Sequence, residues 1–204
     1  MGPSEYHEAL WRELPEGLEP AAFRRRLAFL LESVEPGRRV LDVGCGEGAF
    51  AAELARAGVD VLGVDVAEEP LRRGRARHPE LDLRLLGGES RWELADSSFD
   101  VVWAGEVIEH VLDTAGWFSE LRRVLRSGGA IVLTTPALGR RELLGAARSR
   151  RAFAERFDPR SDHLRFYSPA TLRTLLAEFG FEQIAISRRC SPGLLACRAV
   201  RSRF

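Results

Sequence analysis

The chain has no lysine and no asparagine, a single methionine and three cysteines. Cys45, Cys190 and Cys197 lack the spacing of a zinc ligand set, and so odd and sparse a count excludes a disulfide framework. A reduced, cytoplasmic protein is expected. No apolar run reaches the ~20 residues that span a bilayer, so no membrane partner is expected. Met1 to Leu14 carries Glu5, Glu8 and Glu13 and has no apolar stretch of signal-peptide type. An excess of one charge is missing too: 30 arginines meet 30 acids, for a formal net charge of +0. A chain that gripped nucleic acid over its whole surface would be basic. Repeats and low-complexity segments are absent. The exclusive use of arginine fits GC-rich coding and heat adaptation equally.

What is present is the balance of an ordinary globular domain: 204 residues, 45% hydrophobic and 29% charged, enough to bury a core without staples. Residues 1–38 read as N-terminal helices, Glu5 to Leu14 and Pro20 to Ser33, the second with Phe23, Leu27, Leu30 and Leu31 at helical spacing. From residue 39 to 204 strands and helices alternate. Strands are predicted at Arg39 to Val43, Val59 to Val64, Asp82 to Leu86, Phe99 to Ala104 and Ala130 to Thr134. Helices fall between them at Ala49 to Ala57, Glu68 to Arg77 and Trp117 to Arg126. Ser168-Pro169 opens a further helix to Phe179, with serine as cap and proline at the first position. Phe181 to Arg188 and Leu194 to Val200 are two last strands around Ser191-Pro192-Gly193. The pattern predicts an α/β fold: a doubly wound, mostly parallel, seven-stranded, Rossmann-like sheet ending in an antiparallel hairpin. Residues 138–165 form the one insertion.

The strongest local signal is Val40-Leu41-Asp42-Val43-Gly44-Cys45-Gly46-Glu47-Gly48. An apolar strand runs into glycines at alternate positions and then a helix, which lets a ligand approach the main chain beside free N–H groups. Asp65 ends the second strand about 20 residues later, where an acid can accept ribose hydroxyls. A dinucleotide site shares that logic, but its glycines are spaced differently. Asp42 would also repel a pyrophosphate and suits a ligand carrying an ammonium group.

These residues resemble the first motif and second-strand acid of class I S-adenosylmethionine-dependent methyltransferases, of the ubiquinone-biosynthesis O-methyltransferase type. Phe99-Asp100-Val101-Val102 resembles their fourth-strand motif. Leu121 to Gly129 resembles the run into strand five, and Ser168 to Phe181 the late helix closing on Gly-Phe. The resemblance implies S-adenosylmethionine as cofactor. It places Gly44 and Gly46 at the methionine moiety, Asp65 at the ribose and Val66 on adenine. Asp42, Cys45, Ala104 and Gly105 complete the implied surroundings. Relatives often place an aspartate near adenine past the third strand; here Gly87-Gly88-Glu89 stands there, with Glu89 one residue late.

After the fourth strand comes Ala104-Gly105-Glu106-Val107-Ile108-Glu109-His110. On a helix, Glu106, Glu109 and His110 would share one face. The arrangement resembles metal-using methyltransferases, whose pattern implies Glu106, Glu109, His110 and His163 as ligands of Mg²⁺ or Mn²⁺. Without a metal, Glu106, His110 and His163 are the candidate catalytic residues, with His163 a candidate general base. The absence of an Asn/Asp-Pro-Pro-aromatic run here favours a hydroxyl acceptor. Residues 138–165, rich in arginine, resemble an acceptor-side lid or form a solvated face. Three functions stay open: methylation of a small-molecule hydroxyl, metal-dependent 2′-O-methylation of an RNA 3′ end, and a non-catalytic cofactor-binding scaffold. A monomer or a homodimer is expected.

Overall fold

The alternation of strand and helix patterns builds one central sheet in the computed structural model, which describes residues 3–87, 91–158 and 161–203. Two helices, α1 (Pro3–Glu13) and α2 (Phe23–Leu31), precede β1 (Arg39–Val43). Then follow α3 (Ala49–Arg56), β2 (Asp60–Asp65), α4 (Glu68–Arg77), β3 (Asp82–Leu85), β4 (Phe99–Gly105), α5 (Thr114–Val124) and β5 (Leu125–Pro136). The chain ends with α6 (Arg140–Ala147), α7 (Arg150–Arg156), α8 (Pro169–Glu178), β6 (Phe181–Ser187) and β7 (Leu194–Arg201).

The strands lie in the order β3-β2-β1-β4-β5-β7-β6. β1 pairs in parallel with β2 and β4, and β4 with β5. β7 alone runs the other way, antiparallel to both β5 and β6. This is the expected doubly wound sheet with its C-terminal hairpin. The order reverses between β1 and β4, so a crevice opens beyond their carboxyl ends, the usual ligand position in such sheets.

Strands covered on both faces need apolar residues on both, and Val40, Leu41, Val102 and Ala104 are fully buried. One core face holds Leu41, Val102, Phe118, Leu121 and Leu133. The other holds Val40, Phe50, Leu54, Leu71 and Trp103. On the first face Phe118 of α5 stacks on Phe179 with ring centroids 4.8 Å apart, which seats α8 against the sheet.

Three local differences from the sequence pattern have physical causes. α5 starts at Thr114 rather than Trp117 because the Asp113 carboxylate accepts a hydrogen bond from Gly116 N at 2.9 Å and caps it. β5 starts at Leu125, inside the predicted helix, because Leu125 pairs with Phe99 before the register shifts. The insertion, read as one unit, is divided into two helices, α6 and α7, the latter capped by Ser149.

Candidate active site

The crevice is floored by the loop after β1. Gly44, Gly46 and Gly48 all have positive φ (69°, 55° and 81°), a conformation that alternating glycines supply without steric cost. Gly44 N and Cys45 N both donate to Val64 O, at 2.8 and 3.0 Å, which ties the loop to the end of β2. There the Asp65 carboxylate accepts from Gly46 N at 2.9 Å and from Ala67 N at 3.0 Å. A Cβ on Gly44 would lie 2.6 Å from the Val107 side chain, so close approach and backbone conformation both require glycine. Burial pushes the Asp65 carboxyl above the usual range, against the pull of these N–H groups.

Asp42 sits inside β1, 1% exposed, and its Oδ2 has no hydrogen-bond partner among the described residues. Burial and then the Asp65 charge push its carboxyl up to about 7, while Arg26 pulls it down. Cys45 turns into the second core face, and burial raises its thiol far above the ordinary value.

The opposite wall begins where β4 ends. Glu106 has a φ of 60°, and its N–H donates to Thr134 O at 2.9 Å. That left-handed residue rules out a helix here, and the segment forms a turn closed by His110 N to Val107 O at 2.9 Å. Glu106, Glu109 and His110 therefore do not share a helical face; tertiary contacts orient them instead. Glu109 is 1% exposed, and its Oε2 accepts from Thr135 Oγ1 at 2.9 Å. Its Oε1 lacks a partner among the described residues, 4.0 Å from His110 Nε2. Burial, then Glu106, raise the Glu109 carboxyl to about 8. Burial also raises the Glu106 carboxyl, opposed by Arg26.

His110 is set by the chain around residue 162. Its Nδ1 lies 3.1 Å from Asp162 O, and 3.3 Å from an Asp162 carboxylate oxygen. An N–H donated there fixes the tautomer and leaves Nε2 as the acceptor. Burial lowers the His110 pKa, Asp162 opposing it and His163 adding to it. The His163 ring packs edge-on against His110 at 4.9 Å. Donor atoms of Glu109, His110 and His163 come within 4.8 Å of one another. Glu106 is not part of that group.

Between the two walls lies a single cavity of about 840 Å³, near the top of the ~300–1,000 Å³ range of ligand pockets. Gly44, Asp65 and Val66, from the loop after β1 and the end of β2, line it together with Glu106 and His110 from the turn after β4. Asp42, Cys45, Gly46, Ala104, Gly105, Glu109 and His163 are not among its lining residues. Glu89 lies outside the described residues.

A sequence profile described as a methyltransferase domain matches residues 11–186. The chain belongs to the class I S-adenosylmethionine-dependent methyltransferases. Among its relatives, the ubiquinone biosynthesis O-methyltransferase of Idiomarina loihiensis is 31% identical over 169 residues, covering 79% of this chain and 70% of that protein. The enzyme of that name from Hahella chejuensis is 39% identical over 115 residues, 54% of this chain and 48% of the other. The chain thus spans less than half the length of some relatives it matches. A Haemonchus contortus phosphoethanolamine N-methyltransferase, solved with S-adenosylmethionine, superposes with a TM-score of 0.74 at 17% identity, covering 98% of this chain and 57% of that one. At that identity the likeness concerns the fold.

Two contributors were not legible in the sequence. Arg26 of α2 is 2% exposed and lies over the adjacent rings of Phe50 and Trp103, at 5.0 and 5.7 Å from their centroids. It is the cation that faces Asp42, Glu106 and Glu109 from behind the wall; in the sequence it is one of three consecutive arginines. The other is α1, whose Ser4, His7, Leu10 and Trp11 line the cavity together with Leu14 just beyond its end. Their spacing at 4, 7, 11 and 14 was the available signal. Among the described residues no helix is long and apolar enough to cross a membrane.

Proposed function

We propose that the cavity binds S-adenosylmethionine along the glycine loop and delivers its methyl group to a hydroxyl oxygen of a small-molecule acceptor held beside His110. The observation that carries this reading is the continuity of one cavity from Asp65 to His110. The residues present fit the cofactor. Asp65 keeps lone pairs for ribose hydroxyls beyond its two N–H partners. Val66, Leu86 and Trp92 give the same end an apolar lining suited to adenine. Asp42 supplies buried negative charge behind the loop, which favours an α-ammonium group. When bound, S-adenosylmethionine supplies a sulfonium methyl that an oxygen can take by in-line displacement.

The chain's own work is placement and proton removal. His110, kept neutral by burial, offers Nε2 to the acceptor hydroxyl. The transferred proton would rest on an imidazole whose other nitrogen is anchored at Asp162. Ordinary hydroxyls are poor nucleophiles, so acidified ones such as catechols fit best. The insertion with α6 and α7 leaves Arg140, Arg141, Arg148, Arg150 and Arg151 exposed, which suits an acceptor bearing an anionic group. The test is methyl transfer to a catechol by the full chain, beside the His110→Gln variant.

A divalent cation is a second reading, favoured by the unpartnered, buried Glu109 Oε1 next to His110 and His163. One carboxylate and two imidazoles suit Mn²⁺ better than Mg²⁺, which prefers oxygen ligands. A cation there would ionise Glu109 and acidify a bound hydroxyl. Calorimetric titration of Mn²⁺ into metal-stripped protein saturated with S-adenosylhomocysteine tests it. No binding by the unaltered chain, or equal binding by the Glu109→Gln variant, would remove the metal from the account.

A further inference from the structure

α1 has an inner face without a core of its own. Ser4, His7, Trp11 and Leu14 recur at helical spacing and turn into the cavity, while Glu5, Tyr6, Ala9, Arg12 and Glu13 on the other side are exposed. No residue of α1 belongs to either core cluster. An amphipathic helix must bury its apolar stripe against something, and what lies beneath this one is the ligand cavity.

Polar contacts hold α1 at its outer edge. Glu8 Oε2 accepts from Glu68 N at 2.8 Å and Glu69 N at 3.0 Å, at the N-terminus of α4. Arg73 donates to Leu14 O at 2.9 Å, and Gly17 N donates to Glu47 Oε2 at 2.8 Å. Inside, Trp11 lies against the glycine loop: a Cβ on Gly46 would meet its ring at 2.9 Å. One turn earlier, the His7 ring stands edge-on to His110, with centroids 5.7 Å apart. Neither His7 nitrogen has a hydrogen-bond partner among the described residues. One helix thus touches the glycine loop with Trp11 and the proposed acceptor end with His7.

We propose that α1 is a cover completed by the bound cofactor, and that its closure brings His7 to the acceptor end as a positioning residue beside His110. This rests on the reading given under Proposed function. Cofactor bound beneath Trp11 supplies the packing that the inner face lacks. His7 then closes the acceptor end and holds the His110 ring through their edge-on contact. With α1 open that wall is missing, so the acceptor binds productively only after the cofactor.

Thiol labelling tests the cover without any acceptor. The native cysteines are buried, at 8%, 1% and 0% exposure, so the background is low. His7→Cys and Ser4→Cys on the inner face, and Ala9→Cys on the outer face, would each be labelled with an aromatic disulfide, with and without saturating S-adenosylhomocysteine. The expected result is about tenfold or greater slowing at both inner positions and no change at Ala9→Cys. Equal rates with and without ligand at the inner positions would overturn the cover. The second arm measures methylation of 3,4-dihydroxybenzoate. His7→Gln should lower kcat about tenfold or more and leave KM for S-adenosylmethionine unchanged; full kcat would overturn the role of His7. If the unaltered chain does not methylate this catechol while inner labelling is still slowed, the acceptor reading fails and the cover stands.

Discussion

Asp65 concentrates the cofactor half of the site in one side chain. Its carboxylate is already fixed by Gly46 N and Ala67 N, so its remaining lone pairs are directed before any ligand arrives. Replacing it by alanine should weaken S-adenosylhomocysteine binding by about 1–3 kcal/mol, the worth of charge-assisted bonds; calorimetry giving unchanged affinity would remove Asp65 from the ribose. Asp42 makes a pH-dependent contribution. Its proton is held more tightly in the folded chain, at about 7, than at the unfolded value of 3.8. The stability it lends is therefore complete below the unfolded value and is lost as pH rises through about 7. Asp65, Glu106 and Glu109 are raised as well and act in the same direction. The ligand-free chain should thus lose stability between about pH 5 and pH 8 in urea titrations, and Asp42→Asn should lessen that loss. Identical pH dependence in the variant would mean that Asp42 does not titrate in this range. His110→Gln should cut turnover by about 10²–10⁴ while cofactor affinity holds; unimpaired turnover would show that the base is elsewhere.

At the scale of elements, the strand–glycine–helix unit was legible because its signal is local. Alternating glycines, an apolar strand before them and an acid about 20 residues on need no tertiary information. Gly44 makes the point testable: with a φ of 69° and Val107 in the way, Gly44→Ala should cost about 1–3 kcal/mol of stability. A urea midpoint matching the parent would contradict the packing described here. The turn after β4 was not legible. Its residues have helical spacing, but Glu106 adopts a left-handed conformation and pairs its N–H with Thr134, a contact 28 positions away that no window of sequence displays. Glu106 and His110 line the cavity, while the contacts that orient Glu109 and His110 come from Thr135, Asp162 and His163 on other elements. α1 is legible in the sequence only as a helix, because its place over the cavity appears only in the fold.

The whole molecule repeats that division. Strand count, parallel pairing and the final hairpin follow from patterning, whereas the order β3-β2-β1-β4-β5-β7-β6, with β7 inserted between β5 and β6, comes from the fold. The zero net charge concealed an uneven distribution: buried Asp42 and Glu109 and half-buried Glu106 around Arg26, and exposed arginines on α6 and α7. Long-range convergence of that kind is set by the fold and is invisible to composition. The most direct test of the account is transfer of a radiolabelled methyl group from S-adenosylmethionine to matched catechol and amine acceptors by the full chain, with His110→Gln alongside. The account predicts label on catechol oxygen, lost in the variant. Label on the amine alone, or transfer to oxygen that survives loss of His110, would contradict it.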